Sequence, residues 1–159
     1  MWNFGFENNN LSTVVAIDGV FMVLKKENNI KFNEVLKGYH NYDLNISLEN
    51  YIQGFKTVVT NQILIEHYSE GNINKSWYDS TYKIHQIYKA ILPISIDENV
   101  PTKELEIKNG FNFLKYYMKN GFYKGSFKLW VKLFLIKPFT RNHIEISKIF
   151  FKSCYKSDI

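Results

Sequence analysis

The sequence predicts a mixed α/β architecture in its first part, an incomplete mixed sheet with flanking helices, followed by an all-helical appendage. Three observations lead there. Short β-branched runs alternate with amphipathic stretches over the first hundred residues, apolar residues recur at helical spacing without strand-like runs after that, and the charge changes sign between the two. Residues 1–100 hold 8 Lys and 11 Asp or Glu, net −3, whereas 101–159 hold 11 Lys, Arg141 and 4 acids, net +8. Pro93 and Pro101 bracket the acidic Asp97-Glu98 pair, so the expected boundary separates residues 1–97 from 98–159.

The elements follow in order. Thr13 to Ile17 and Val20 to Leu24 are apolar runs separated by Asp18-Gly19 and read as two buried strands with a tight junction. Asp43 precedes Leu44, Leu48, Tyr51 and Ile52, a stripe that stops at Gly54, which predicts a helix with an Asp cap and a Gly stop. Phe55 to Thr60 and Gln62 to Glu66 read as two more strands, the second delivering His67 at its end. Trp77, Ile84, Tyr88 and Ile91 then share one helical stripe, interrupted only by Thr81. In the appendage, helices are expected over 103–120, closed by Gly121 and weakened at Gly110, over 122–137, closed by Pro138, and over 141–153.

Composition bounds the function classes. With 45% hydrophobic, 17% aromatic and 22% charged residues, the chain has the makings of a packed core and is not a disordered one. A single cysteine, Cys154, excludes a disulfide framework and a cysteine-based zinc cluster and fits a reducing, cytoplasmic compartment. Met1 to Asn10 lacks the basic flank and apolar stretch of a secretory signal, and no apolar run approaches the roughly 18 residues that span a bilayer.

Five pieces of sequence are more specific than this pattern. They are Ile17-Asp18-Gly19-Val20-Phe21-Met22-Val23, Phe32-Asn33-Glu34, Gly38-Tyr39-His40-Asn41-Tyr42-Asp43-Leu44-Asn45-Ile46-Ser47-Leu48, Ile65-Glu66-His67-Tyr68-Ser69-Glu70-Gly71 and Ser76-Trp77. In this order and spacing, over residues 12–93, they resemble the second half of family 2 glycosyltransferases, in particular the subfamily grouped with a streptomycin-biosynthesis protein. The resemblance implies a GT-A fold in which this chain supplies the acceptor side. The nucleotide-binding half and the Asp-x-Asp motif are then expected upstream or on another chain, since no Asp-x-Asp occurs in the sequence. It implies a nucleotide-sugar donor, a saccharide or lipid-linked acceptor, and Mg or Mn in the complete enzyme, where a divalent cation meets the charge of the leaving diphosphate.

The resemblance assigns roles residue by residue. Asp43 matches the catalytic base, a carboxylate that takes the proton of the attacking hydroxyl; as a residue, Asp at a helix start is equally a cap. Asp18 and Gly19 match the junction beside the sugars, where a missing side chain leaves room for a ring, and a β-bulge is the alternative. His40 matches a neighbour of the acceptor pocket. Trp77 matches its border, although its stripe position also suits core packing. His67 matches a position that completes the metal or diphosphate site, with Ser69 and Gly71 able to donate to phosphate, yet one His without carboxylates does not hold Mg²⁺. Asn45 stands where relatives often carry a second acid. His85 and His143 read as surface or helix-packing residues.

The basic appendage carries Lys124, Lys128 and Lys132 at i+4 steps beside Phe127, Trp130, Val131, Phe134 and Leu135. Such a helix either packs with a solvated lysine face or lies in a membrane interface with its lysines at the headgroups. Nucleic acid ranks below both, because the aromatics lie on the apolar stripe and are not interleaved with the cations. A noncatalytic remnant that binds a protein or a membrane surface is the alternative to a transferase. In either case an exposed sheet edge calls for self-association or a partner chain.

Overall fold

A computed structural model describes residues 10–36, 38–68, 73–122 and 126–156, with side chains described to 152. The chain divides into two compact units, residues 1–98 and 99–159. Among the described residues it is mixed α/β, with five α-helices and one two-stranded antiparallel sheet.

In the first unit, β1 (Leu11–Val14) pairs with β2 (Thr57–Thr60) in the register Leu11↔Thr60 to Val14↔Thr57. Between them lie a single 3-10 turn, Lys26–Asn28, and the helix α1 (Tyr42–Ile52). Two of the four expected strands do not form. Residues 20–24 leave the Asp18 turn as irregular chain, and 62–66 continue irregularly from β2. Both runs are apolar enough for strands, but a strand needs a ladder partner and a covered face. Neither run has them: Val23 and Ile63 are exposed and Leu64 is 97% exposed.

Gly54 ends α1 as the sequence predicts, and the geometry gives the reason. Its φ is +80°, its N–H donates to Tyr51 O at 2.9 Å, and Phe55 N donates to Asn50 O at 3.1 Å, a Schellman closure that favours glycine. The start of α1 differs from expectation. Asn41, with φ +61°, occupies the cap position, and Asp43 lies within the first turn. α2 (Lys75–Ile87) begins two residues before Trp77, because the Asn74 side chain accepts from Trp77 N at 3.1 Å.

The core of this unit is Leu48, Ile84 and Tyr88, with Leu36, Leu44, Ile87, Ile91, Leu92 and Ile94 packed around them. The inner face of α1 is also polar. Asn45 is 1% exposed; its Oδ1 accepts from Asn33 N at 2.9 Å and its Nδ2 donates to Tyr88 Oη at 2.6 Å. The Tyr88 hydroxyl donates in turn to Glu49 Oε1 at 2.5 Å, and Asn33 Nδ2 donates to the same oxygen at 3.3 Å. Asn45 thus faces the interior, where each polar atom has a partner, and not an acceptor site.

This network makes a pH prediction. Burial, then the hydrogen bond and charge of Glu49, raise the Tyr88 phenol well above the ordinary tyrosine value of 10.0. A raised value in the folded state means the stabilisation is complete below pH 10 and is lost as pH rises beyond it. Urea titrations between pH 8 and pH 11 should therefore show stability falling above about pH 10, with the slope reduced in Tyr88→Phe. An identical slope in that variant would place the titrating group elsewhere.

The second unit is a three-helix assembly in which α3 (Thr102–Lys119), α4 (Ser126–Ile136) and α5 (Arg141–Lys156) pack pairwise. α3 closes on Gly121, φ +79°, with Gly121 N donating to Met118 O and Phe122 N to Tyr117 O. Gly110, expected to weaken α3, lies where α4 comes close: a Cβ there would meet Leu133 Cδ2 at 3.0 Å. Phe111, Leu114, Met118, Leu133 and Ile146 form the core, with Leu129, Trp130, Ile149 and Phe150 against it. His143 is a buried packing residue, its ring beside those of Phe111, Trp130 and Phe134.

Candidate functional site

The Asp18 turn and the first turn of α1 are held together by backbone and side-chain bonds. Asp18 Oδ1 accepts from Val20 N at 3.2 Å, an Asx turn that reverses the chain at Gly19. Gly19 is then gripped on both sides: its N–H donates to Asp43 Oδ2 at 3.1 Å, and its carbonyl accepts from Tyr42 Oη at 2.9 Å. One turn further along α1, Ser47 Oγ accepts from Ile17 N at 3.3 Å and donates to Asp43 O at 2.7 Å. Residues 17–19 therefore lie along the entry of α1, and the expected strand junction is a tight turn.

The need for glycine at position 19 is steric. A Cβ there would stand 2.2 Å from Tyr42 Oη and 2.5 Å from Cζ, so the space a side chain would take is filled by the Tyr42 phenol. Gly19→Ala must push that ring away and break its bond to the Gly19 carbonyl, at a cost of about 1–3 kcal/mol. Tyr42→Phe removes the nearest atom, so the two substitutions combined should cost less than their sum. Chemical unfolding of the single and double variants reads this directly, and strict additivity would mean that the close approach does not constrain Gly19.

Asp43 is half-buried. Its second oxygen, Oδ1, accepts from Leu44 N at 2.7 Å, so the carboxylate is fixed by two backbone N–H groups and each oxygen keeps a lone pair for a further donor. Beside it, burial first and then the neighbouring Tyr39, Asp43 and Asp18 raise the Tyr42 phenol, which stays a proton donor at neutral pH. Tyr39 is 80% exposed, its ring 5.6 Å from that of Tyr42, and presents an open aromatic surface beside that phenol.

α2 ties into the same region. His40, half-buried, gives its carbonyl to Ser80 Oγ at 3.0 Å. Asn41 Nδ2 donates to Thr81 Oγ1 at 3.0 Å, and that hydroxyl donates to Trp77 O at 2.9 Å. The polar break in the α2 stripe thus has a purpose, since Thr81 holds the turn that leads into Asp43. Trp77 is half-buried, its ring edge-on to Tyr78 at 5.2 Å. The connections join Asp18, Gly19 and Asp43 directly, and His40 and Trp77 to them through Ser80, Thr81 and Asn41. Sequence reasoning missed Tyr42 as the ring against Gly19 and Asn41 as the link to α2. The adjacency of Tyr42 to Asp43 was the available signal for the first, while nothing local marks the second.

His67 stands apart. It is exposed in the irregular segment after β2, because the run expected to carry it as a strand does not pair. Ser69 and Gly71 lie outside the described residues. Among the described residues no group of three or more His, Cys, Asp or Glu is placed to hold a metal ion. An open groove of about 530 Å³ runs elsewhere on this unit, past Thr13, Val15, Tyr51, Lys56 and Ile96, and includes none of the residues just described. Compared with protein-family models, curated proteins and solved structures, the chain has no significant match in any of the three.

Proposed function

We propose that the first unit is the acceptor-side portion of a GT-A-like glycosyltransferase, which moves a sugar from a nucleotide-sugar to a saccharide or lipid-linked hydroxyl. The observation that carries this reading is the bond from Gly19 N to Asp43 Oδ2, which joins residues 24 apart in sequence. The resemblance assigns those two positions to one sugar site. In this reading Asp43 accepts the proton of the acceptor hydroxyl as that oxygen attacks the anomeric carbon. The two N–H groups aim the carboxylate, and the exposed face of Tyr39 offers a surface for a sugar ring. Asp18, His40 and Trp77 border the same region. The diphosphate and its cation belong to the donor half, supplied by another part of the protein or another chain. The exposed apolar runs around Val23 and Leu64 support such a covering half.

The test is transfer of labelled hexose from a panel of nucleotide-sugars by the protein together with its donor half. Transfer from one donor, and saccharide binding that protects Tyr39 from chemical modification, are the expected results. Failure of every donor, with no saccharide protecting Tyr39, would overturn the reading and leave a noncatalytic binding module.

A further inference from the structure

The second unit carries a surface that its own packing leaves uncovered. α4 buries Ser126 and Leu133 and lays Leu129 and Trp130 on the core, which accounts for one side of the helix. On the other side Lys128, Lys132 and Ile136 follow at i+4 steps, all exposed, with Leu135 beside them at 75% exposed. Just past the helix, Phe139 is 82% exposed and has φ +56°. Left-handed backbone is uncommon for a bulky residue and carries a conformational cost. That cost here places an aromatic ring outward, edge-on to Phe134 at 5.3 Å. Lys137 and Arg141 flank it, both exposed.

Along the sequence, the stretch that carries this tip is one-sided in charge. From Ile107 to Ile144 the sequence has no Asp or Glu, against seven lysines and Arg141. The next acid in the sequence, Glu145, reaches Arg141 Nε at 3.7 Å, both side chains exposed. A partner must therefore offer negative charge around an apolar region. Nucleic acid supplies the charge but leaves Leu135 and Ile136 without a counterpart, since bases stack on aromatic faces. A bilayer with anionic lipids supplies both, phosphates for the cations and hydrocarbon just beneath for the tip.

We propose that α4 and the turn after it dock the protein on anionic membrane. Leu135, Ile136 and Phe139 enter the boundary between headgroups and acyl chains, and Lys128, Lys132, Lys137 and Arg141 sit at the phosphates. This stands independently of the transferase reading.

The experiment is sedimentation of the full chain with phosphatidylcholine vesicles, with and without about 30% phosphatidylserine, at low and high salt. Binding is expected on the anionic vesicles, weaker at high salt. Phe139→Ser and Leu135→Ser should each weaken it about tenfold, and Lys128→Gln and Lys132→Gln about fivefold each. All four positions are exposed, and the circular dichroism of α3–α5 checks that the fold is kept. Phe139→Trp should add emission that shifts to the blue on anionic vesicles. No sedimentation with either vesicle overturns the proposal. So do affinity unchanged by Phe139→Ser with Leu135→Ser, an unshifted tryptophan, and tighter binding to duplex DNA than to anionic vesicles.

Discussion

Asp43→Asn should lower sugar transfer by about 10²–10⁴-fold, the range a general base contributes, while the first unit remains folded. The structural role of this carboxylate and its proposed role as base can be separated because they draw on different lone pairs. Its structural role is to accept from Gly19 N and Leu44 N at the entry of α1. An asparagine keeps one acceptor oxygen and turns an amide N–H₂ toward the other backbone donor, so one of these bonds is lost. The negative charge near the helix N-terminus goes as well, and together the losses amount to about 1–2 kcal/mol. That is enough to shift a melting curve and too little to abolish turnover at a temperature well below the melt. Asp43→Glu keeps the charge but moves the oxygens by a methylene, and should lose transfer while recovering part of the stability. Turnover within about threefold of wild type in Asp43→Asn would remove Asp43 as the base, whatever happened to the melt.

The second large effect belongs to the helical unit. Leu114→Ala should destabilise it by about 3–5 kcal/mol, the upper part of the range for a leucine cut back in a tight core. Leu114 is 0% exposed and lies at the centre of the cluster formed by Phe111, Met118, Leu133 and Ile146. The aromatic rings around that cluster limit collapse into the cavity, because Trp130 is pinned by its Nε1–H to Ser147 Oγ at 2.9 Å and stacks between Phe127 and Phe134. A unit this small has only a few kcal/mol in total, so the variant should lose much of its α3–α5 helical signal at room temperature. Leu114→Met, close in volume, should cost under about 1.5 kcal/mol. Urea unfolding followed by circular dichroism separates these outcomes, and a loss below about 1 kcal/mol for the alanine variant would mean that the core is looser than its burial indicates.

The helices were legible in the sequence because their signals are local. Gly54 and Gly121 each sit one residue past a C-cap, with φ +80° and +79°, and end α1 and α3 as their positions in the sequence predict. The starts were less legible. Asn74 caps α2 through its side chain, but in a chain with asparagine throughout, one more Asn before a helix carries little signal. The strands were legible only in part, since apolar β-branched composition describes the runs at 13–17, 20–24, 55–60 and 62–66 alike. What distinguishes them is whether a partner chain lies alongside, a non-local fact that composition does not encode. The same limit applies to the site. Asp18, Gly19 and Asp43 could be named from the sequence, but the filling of the space over Gly19 by Tyr42 depends on how the turn docks against α1. Thr81 breaks an apolar stripe, and the reason, its bond from Asn41, lies in a residue 40 positions away.

The register of the small sheet also constrains the order in which the first unit can assemble. Leu11 meets Thr60 and Val14 meets Thr57, so the ribbon closes a loop of more than forty residues for only four pairs per strand. Closing such a loop early would cost chain entropy with little hydrogen bonding in return. The ribbon therefore forms late, after α1 has nucleated and the 17–19 segment has docked along it, and acts as a latch on a structure already in place. During synthesis, β1 leaves the ribosome long before β2 exists to receive it, and until then its apolar edge is open to chaperones and to other nascent chains.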